Sequence, residues 1–491
     1  MAPQVPLANQ DPDFVKSYFP LNISATTTST PSTTAHSNKT ATPITQDTTT
    51  GPHRLKVLIA GGNIQGLVLA LILHRLNVDV LVLERAHSQG VSPGSIVMGS
   101  FAVNLLEMLE ILAPIAMNTQ ELHRLRIWNE YGALQAEVDF SGARERYGHN
   151  GFVVNTRELQ TTLRDQLPGH CVLDGKSVVD YVQDTDGVTV WCEDGSCYRG
   201  AILVGCDGRS STVRRILYEQ TQHPPEDEET VPTTGMDNNL AGMTNVFAHD
   251  ELIDPATNEC IFRQDWGDSQ VVIGRSAPFT CWITPMPKER RLSWMITCNY
   301  VPGTTTDGPS EAVPHSSSSR SMDPTVLQRE FVDQVRHFKF PLGGTIGDIL
   351  DKSDWTEMRR VPNEKHVYHL WHEGRVVLAG EACHSLVPYG GQGSLQAMLD
   401  ACSLAPLITK ALCSGGDLEI IEAAFQAYHQ ERFLIAQDAT NGSAGLGRLL
   451  SRHQLSSDNF AFEFDFDFDY FPAWLQRIAE IKGESIRLNI Q

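Results

Sequence analysis

The first regular pattern of apolar and polar residues lies between residues 56 and 84. Two short apolar runs, at 56–60 and 78–83, are typical of strands that are buried on both faces of a sheet. Between them, apolar residues recur at helical spacing from 64 to 72. Asn77 follows, and asparagine tolerates the left-handed conformation in which helices end. The pattern therefore predicts a βαβ unit.

Farther along the chain, short apolar runs are separated by turn residues. Asp-Gly pairs at 186 and 194 predict an antiparallel meander within residues 171–208. Further strands are predicted at 201–204, 270–273, 293–297 and 375–379, and helices beginning near Gly393 and spanning 474–488. Alternating strands and helices at both ends, around an antiparallel centre, predict an α/β fold. In it, a Rossmann-like nucleotide-binding domain is interrupted by an antiparallel β-sheet substrate domain.

These patterns divide the chain into six predicted segments. Residues 1–52 are a Ser/Thr-rich N-terminal extension that cannot bury a core, so we predict that they are disordered. The others are the nucleotide-binding domain in three parts (53–170, 171–225 with the meander, and 351–445), the substrate domain (226–350) and a C-terminal segment (446–491). In that segment, Phe alternates with Glu or Asp over 460–471. This predicts a strand or extended segment docked on the core or, alternatively, an exposed interaction or membrane-surface segment.

Charge and cysteine content narrow the function classes. The 491 residues include 59 Asp and Glu against 38 Lys and Arg, a net charge of −21, whereas nucleic-acid binding requires a clustered basic surface. The ten cysteines form no CxxC pair, and the chain shows neither a signal peptide nor an apolar run of about 18 residues. We expect a soluble, cytoplasmic protein that binds a small molecule, no nucleic acid and no metal. The sequence leaves its oligomeric state open.

A glycine-rich turn follows the first predicted strand. Gly61 allows a tight turn, Gly62 lies within it, and Gly66 allows close packing of helix on strand, with the helix N-terminus facing a pyrophosphate. Asn63 stands where such turns carry their middle glycine. Asparagine adds bulk but adopts unusual dihedral angles more readily than most residues, so we expect cofactor binding to be retained. Glu84 lies 23 residues after Gly61, where an acid accepts hydrogen bonds from an adenosine ribose and disfavours NADP. The turn leaves NAD and FAD as alternatives.

Two later segments distinguish these cofactors. They are CDGRSSTVR at 206–214, and GEACH at 380–384 with PYGGQGS at 388–394. With the first turn, they resemble the three fingerprints of group A flavin monooxygenases of the para-hydroxybenzoate hydroxylase fold, over residues 54–440. The closest likeness is to the fungal branch that modifies natural products. The resemblance implies a glutathione-reductase-type FAD-binding domain, FAD as cofactor and NAD(P)H as co-substrate.

The resemblance also implies roles for individual residues. Asp207 and Gly208 match the family's DG pair, Glu381 matches an aspartate that binds the ribityl chain, and Ser394 matches a backbone contact to the flavin. The full set of implied cofactor-binding residues is Gly61, Gly62, Gly66, Glu84, Val97, Arg157, Asp207, Gly208, Glu381, Gly393 and Ser394. Glu381 is one methylene longer than the family's aspartate. Like Asn63, it is a departure from the family's pattern, and we expect FAD to bind, but more loosely than is usual in the family.

The predicted function is an FAD-dependent monooxygenase that hydroxylates, epoxidises or rearranges a small organic molecule in secondary metabolism. We expect the substrate to lie between the middle sheet and the flavin, where Trp266, Trp282, Trp294 and Tyr300 are equally good candidates for lining or core residues. Near the third motif, Cys383 is interpreted as a small packed side chain and His384 as a structural hydrogen-bonder. The sequence identifies no catalytic acid or base, and does not choose between NADH and NADPH.

Three alternatives compete with this prediction. A flavin-dependent halogenase shares much of the architecture, but the family's WxWxIP segment has no counterpart around Trp294. A flavin enzyme that dehydrogenates or cyclises would transfer no oxygen. A non-catalytic scaffold would explain Asn63 and Glu381 as signs of lost FAD binding.

Overall fold

The structure is a computed structural model. It describes residues 56–86, 94–140, 142–221, 238–243, 253–254, 259–260, 268–274, 279–286, 290–298, 333, 335–341, 344–353, 359–361, 365–387 and 391–452. The predicted disordered extension, the Phe/acidic segment at 460–471, the helix predicted at 474–488, Trp266 and Tyr300 lie outside these residues.

The described residues form 23 strands. They are β1 (Lys56–Ala60), β2 (Asp79–Glu84), β3 (Ser95–Met98), β4 (Gln120–Leu122), β5 (Arg124–Asn129), β6 (Leu134–Asp139), β7 (Gly151–Asn155), β8 (Val172–Asp174), β9 (Val178–Gln183), β10 (Val188–Cys192), β11 (Cys197–Gly200), β12 (Ile202–Gly205), β13 (Asn238–Met243), β14 (Ile253–Asp254), β15 (Glu259–Cys260), β16 (Asp268–Gly274), β17 (Phe279–Met286), β18 (Arg291–Cys298), β19 (Arg359–Val361), β20 (His366–Val367), β21 (His372–Glu373), β22 (Val376–Leu378) and β23 (His384–Ser385).

Nine α-helices accompany these strands in the described residues. They are α1 (Ile64–Arg75), α2 (Ser100–Met108), α3 (Leu112–Asn118), α4 (Ala143–Tyr147), α5 (Thr156–Asp165), α6 (Thr212–Thr221), α7 (Ile346–Asp351), α8 (Gln392–Cys413) and α9 (Leu418–Arg452). None of the described helices is both long and apolar enough to cross a membrane.

The central sheet has six strands in the order β21-β22-β12-β1-β2-β8. The pairs from β22 to β8 are parallel, and β21 adds an antiparallel edge. The predicted βαβ unit is confirmed as β1, α1 and β2. Because parallel strands end at the same edge, the loops after β1, β12 and β22 are neighbours in space. These loops carry the three motifs identified in the sequence.

A second sheet confirms the predicted meander. Strands β9, β10 and β11 pair antiparallel in the order β11-β10-β9. The Asp-Gly turns connect them as expected, because Gly195 has φ +81° and the Asp184 side chain accepts hydrogen bonds from the turn's backbone.

The largest sheet formed by the described residues has seven strands in the order β19-β13-β18-β17-β16-β5-β6. Strands β16 and β18 confirm the runs predicted at 270–273 and 293–297. Three of its strands come from outside the predicted substrate segment of 226–350. The β5–β6 hairpin joins through a parallel pair between β5 and β16, and β19 pairs with β13. The sheet is therefore assembled from three separate stretches of chain.

The two faces of this sheet have different neighbours. On one face, Phe279 stacks on Phe338 with ring centroids 4.7 Å apart, and the indole Nε1 of Trp294 donates to Ser353 Oγ beside α7. On the other face, a cluster of apolar residues contacts the nucleotide-binding domain; its buried members are Leu125, Ile127, Val138, Val271, Ile273, Val387 and Ala444. Val387 lies between the two parts of the third motif, so this second face is turned toward it.

Candidate functional site

A cavity of about 880 Å³ lies at the edge where β1, β2, β12 and β22 end. Eight of the eleven predicted cofactor-binding residues line it: Gly61, Gly62, Glu84, Asp207, Gly208, Glu381, Gly393 and Ser394. Gly66, Val97 and Arg157 are not part of its lining. One cavity therefore receives residues from all three motifs, which lie more than 100 residues apart in sequence.

The first turn needs glycine for reasons of space. Gly61 has φ +107°, and a Cβ there would lie 2.4 Å from the Cys206 carbonyl oxygen. A Cβ on Gly66 would lie 2.0 Å from the Gly61 carbonyl oxygen. Gly66 thus holds α1 against the turn from behind the cavity wall, as the sequence predicts for helix–strand packing.

Asn63 is the N-cap of α1. Its Oδ1 accepts from the Gly66 backbone N–H at 3.0 Å, and its Nδ2 donates to the Cys206 carbonyl oxygen at 2.8 Å. Its dihedral angles are φ −72° and ψ 179°, so the tolerance of asparagine for unusual angles is not used here. An extended N-cap needs no special backbone, and the side chain instead connects the first motif to the second.

Glu84 ends β2 at the side of the same turn. One carboxylate oxygen accepts from the Gly62 backbone N–H at 2.5 Å, and the other accepts from the Ala86 N–H at 2.7 Å. A carboxylate has about four lone-pair directions, so further hydrogen bonds can still be accepted. Three basic residues, Arg85, Arg164 and Lys176, also line this end of the cavity.

Asp207 organises the second motif. Its carboxylate accepts hydrogen bonds from the backbone N–H groups of Thr212 and Val213, at 2.7 and 3.1 Å, and from the Ser211 hydroxyl at 2.5 Å. Burial raises the pKa of Asp207, although these hydrogen bonds act in the opposite direction. The residue thereby caps α6, and Gly208 continues the loop at φ +80°.

The third motif contributes a turn and a helix N-terminus. The 3₁₀ turn Gly380–Ala382 follows β22, and the Glu381 side chain faces Arg209 of the second motif at 3.3 Å. Helix α8 begins at Gln392, close to the predicted position, after Gly391 at φ +64°. Apart from its chain neighbours and the backbone of its own helix, no atom of the described residues lies within 4 Å of a Cβ placed on Gly393. Gly393 and Ser394, in the first turn of α8, line the cavity, so this helix begins at the cavity wall.

Val97 and Arg157 lie near the cavity but outside its lining. Val97, on β3, lies 3.9 Å from a Cβ placed on Gly391. Arg157 is an exposed residue in the first turn of α5, and its backbone N–H donates to the N-cap residue Asn155.

A buried polar cluster lies behind the third motif. Asp400 of α8 and Arg432 of α9 form an ion pair at 2.9 Å, with both side chains fully buried. His384 Nε2 lies 2.7 Å from the same carboxylate, in agreement with its interpretation as a structural hydrogen-bonder. The pattern of the sequence did not identify Asp400 or Arg432. The sequence does carry one signal of this ion pair. Asp400 lies in the middle of an apolar helix, and a buried carboxylate needs a partner such as the arginine 32 residues later.

Cys383, His384 and Asp400 also lie close enough together to hold a metal ion. Their contacts argue against this use. Burial raises the pKa of the Cys383 thiol well above its ordinary value, so it is not a ready thiolate ligand. Both oxygens of Asp400 already have partners in Arg432, His384 and Gly380. Cys383 is fully buried, as expected for a packed small side chain.

Residues 54–310 and 344–443 match the family described as FAD binding domain. The chain belongs to this family. The site fits FAD, because the glycine turn at the N-terminus of α1, the Glu84 carboxylate and the N-terminus of α8 all line one cavity, and helix N-termini bind anionic groups such as a pyrophosphate. The FAD-binding assignment resolves the choice between NAD and FAD that the first turn left open.

Similar proteins come from fungi. The chain is 27% identical to the FAD-dependent monooxygenase esdpE of Penicillium shearii over 364 residues, which cover 72% of this chain and 69% of esdpE. It is 26% identical to the FAD-dependent monooxygenase paxM of Penicillium paxilli over 375 residues, covering 74% and 71%.

Solved structures share the fold. HpxO of Klebsiella pneumoniae, crystallised with FAD and uric acid, has a TM-score of 0.62 at 20% identity, covering 87% of this chain and 95% of HpxO. The 2,6-dihydroxypyridine-3-hydroxylase of Arthrobacter nicotinovorans has a TM-score of 0.61 at 19% identity, covering 82% and 94%. The comparisons confirm the predicted fold, the FAD cofactor and the enzyme class, an FAD-dependent monooxygenase. They do not favour the halogenase, dehydrogenase or scaffold alternatives.

Proposed function

We propose that this FAD-dependent monooxygenase uses NADH or NADPH and dioxygen to insert one oxygen atom into a small organic molecule of secondary metabolism. The proposal rests on one observation above all. Three motifs, at the ends of the adjacent strands β1, β12 and β22, line a single cavity. The fungal relatives support the metabolic setting. A cytoplasmic location is part of the proposal, and fractionation of cells that express the tagged full chain tests it.

Each end of the cavity suits a different part of FAD. At one end, Glu84 would accept hydrogen bonds from the adenosine ribose, and the Gly61–Gly62 turn would let the pyrophosphate approach the N-terminus of α1. In the middle, Glu381 would bind the ribityl chain, and Asp207 and Gly208 would lie alongside the cofactor. Arg157 and Val97, which do not line the cavity, would approach FAD from just outside it. Gly66 would contribute only by packing α1 against the Gly61 carbonyl.

At the other end, the start of α8 would bind the flavin ring. Bound flavin supplies the redox chemistry, accepting electrons from NAD(P)H and passing them to dioxygen. The backbone N–H groups of Gly393 and Ser394 belong to the first turn of the helix, where the positive end of the helix dipole lies. They would stabilise negative charge that develops on the pyrimidine edge of the ring. The absence of a side chain at Gly393 would allow this close approach.

The substrate would bind between the ring and the second face of the seven-stranded sheet. Trp282 lies on this face and packs against the cluster that contains Val387, whereas Trp294 lies on the opposite face with Ser353. We therefore propose Trp282 as a lining residue and Trp294 as a core residue. Trp282 Nε1 and the hydroxyls of Thr280 and Thr297, on the same face, are buried without a hydrogen-bond partner among the described residues. Such groups suit a substrate that carries hydrogen-bonding oxygens.

The test uses the purified full chain reconstituted with FAD. Anaerobic addition of NADH or NADPH should bleach the flavin absorbance, and air should restore it with consumption of dioxygen. The Gly61→Leu variant, whose side chain would overlap the Cys206 carbonyl, is the matched control and should stay colourless. A wild-type chain that binds FAD but is reduced by neither nucleotide would contradict the proposal.

A further inference from the structure

We propose that Arg432, on α9, is a positioning residue that acts through Asp400 to fix the turn Gly380–Ala382 and the start of α8. This inference rests on the proposed function, because it assumes that the flavin lies beside Gly380–Ala382 and the first turn of α8. Arg432 does not line the cavity. Its effect on the cofactor must therefore pass through other residues.

Arg432 is anchored to α8 at two points one turn apart. Its Nε donates to Asp400 Oδ1 at 2.9 Å, and its Nη2 donates to Gln396 Oε1 at 2.5 Å. Gln396 lies two residues after Ser394, in the part of α8 that begins at the cavity. All three contacting side chains are fully buried. The guanidinium therefore sets how α8 sits relative to α9.

The other oxygen of Asp400 holds the turn of the third motif. Asp400 Oδ2 accepts from the Gly380 backbone N–H at 2.7 Å and lies 2.7 Å from His384 Nε2. Gly380 adopts φ +62°, and the next residue, Glu381, lines the cavity. One carboxylate thus joins the helix that begins at the flavin end to the turn that faces the ribityl chain.

Charge decides whether this carboxylate can act as a strong acceptor. Burial raises the pKa of Asp400, but its contacts with His384 and Arg432 more than offset burial and hold the pKa below its ordinary value. The neighbouring Cys206, Cys383 and Tyr428 all have pKa values raised by burial, so they stay neutral. An ionised acceptor binds the Gly380 N–H more strongly than a neutral one. Without Arg432, a buried carboxylate would lack its guanidinium partner, which is strongly unfavourable.

The experiment compares four full-length variants with wild type: Arg432→Met, Arg432→Lys, the double variant Asp400→Asn with Arg432→Met, and Arg215→Met. Arg215→Met is the control, because it removes an exposed arginine that pairs with Glu219 and lies outside the buried cluster. It shows what the loss of any arginine does to FAD binding. The FAD dissociation constant and the visible circular dichroism of bound flavin are measured, together with thermal unfolding of the chain without FAD.

We expect Arg432→Met to raise the FAD dissociation constant by about tenfold or more and to alter the flavin spectrum. Arg432→Lys keeps a cation beside Asp400 and should stay within about threefold of wild type. In the double variant, Asp400→Asn removes the carboxylate charge that Arg432→Met leaves without its guanidinium partner, and the amide oxygen can still accept from the Gly380 N–H. The double variant should therefore recover most of the FAD affinity that Arg432→Met loses. Arg215→Met should match wild type.

Two results would overturn the inference. One is wild-type affinity and spectrum in Arg432→Met. The other is a double variant that binds FAD as weakly as Arg432→Met, since Arg432 would then contribute packing alone. If Arg432→Met does not fold, the double variant decides: recovered folding and FAD binding support the inference, and failure contradicts it. A wild-type chain that binds no FAD would contradict the proposed function instead.

Discussion

Replacing Glu84 by alanine should weaken FAD binding while leaving the chain folded. The carboxylate ends β2 at the cavity, and both of its oxygens already accept backbone hydrogen bonds, from Gly62 and Ala86. The proposed ribose contact would add one or two further charge-assisted bonds. The variant therefore tests whether the adenosine ribose binds at Glu84. This assignment rests on the 23-residue spacing from Gly61 and on the position of Glu84 in the cavity.

The expected magnitude follows from the bonds that are lost. Hydrogen bonds to charged groups contribute about 1.5–3 kcal/mol each. One lost ribose bond should thus raise the FAD dissociation constant by about 10- to 150-fold, since each 1.4 kcal/mol is a factor of ten. The Gly62 and Ala86 N–H groups also lose their acceptor, but Glu84 is only half-buried, so water can replace it. We expect the cost to the free energy of unfolding to be about 1 kcal/mol.

The assay is a fluorescence titration of the FAD-free chain with FAD. Glu84→Gln keeps the shape and one acceptor but removes the charge, so its dissociation constant should fall between those of wild type and Glu84→Ala. Glu219→Ala, which removes an exposed acid of α6, is the control and should bind FAD normally. An unchanged dissociation constant in Glu84→Ala would refute the ribose assignment.

Three further variants test other parts of the site. Gly66→Ala places a Cβ 2.0 Å from the Gly61 carbonyl and should lower the free energy of unfolding by about 1–3 kcal/mol in a urea titration; equal stability would contradict the packing role. Asn63→Gly removes two side-chain hydrogen bonds, including the one to Cys206, and should cost about 1 kcal/mol in the same assay while keeping FAD binding. Ser394→Pro removes a backbone N–H at the start of α8 and should slow anaerobic flavin reduction in stopped-flow measurements, whereas Ser394→Ala should not. Equal rates for these two variants would disprove the dipole argument.

The parts of the fold that the sequence predicted are those with local signals. The βαβ unit has two continuous apolar runs, with a glycine turn and a helical repeat between them. Helix α8 begins within one residue of the predicted Gly393. The three motifs converge because parallel strands share one edge, and this geometry follows from the order of strands and helices alone.

The seven-stranded sheet was harder to predict, because strand pairing depends on residues that are far apart. The β5–β6 hairpin lies about 130 residues before β16, and its parallel pairing leaves no local pattern in either strand. The role of the Asn63 side chain could not be predicted for a related reason. Its side chain acts through the distant Cys206 carbonyl and the N-terminus of α1, so its effect is visible only in the folded chain.

The most direct test of the account is an experimental structure of the full chain with bound FAD. The account predicts that the adenosine ribose lies within hydrogen-bonding distance of the Glu84 carboxylate, and that the pyrimidine edge of the flavin faces the Gly393 and Ser394 backbone N–H groups. FAD bound in a different cavity, or in the reverse direction with its adenosine at the start of α8, would contradict it.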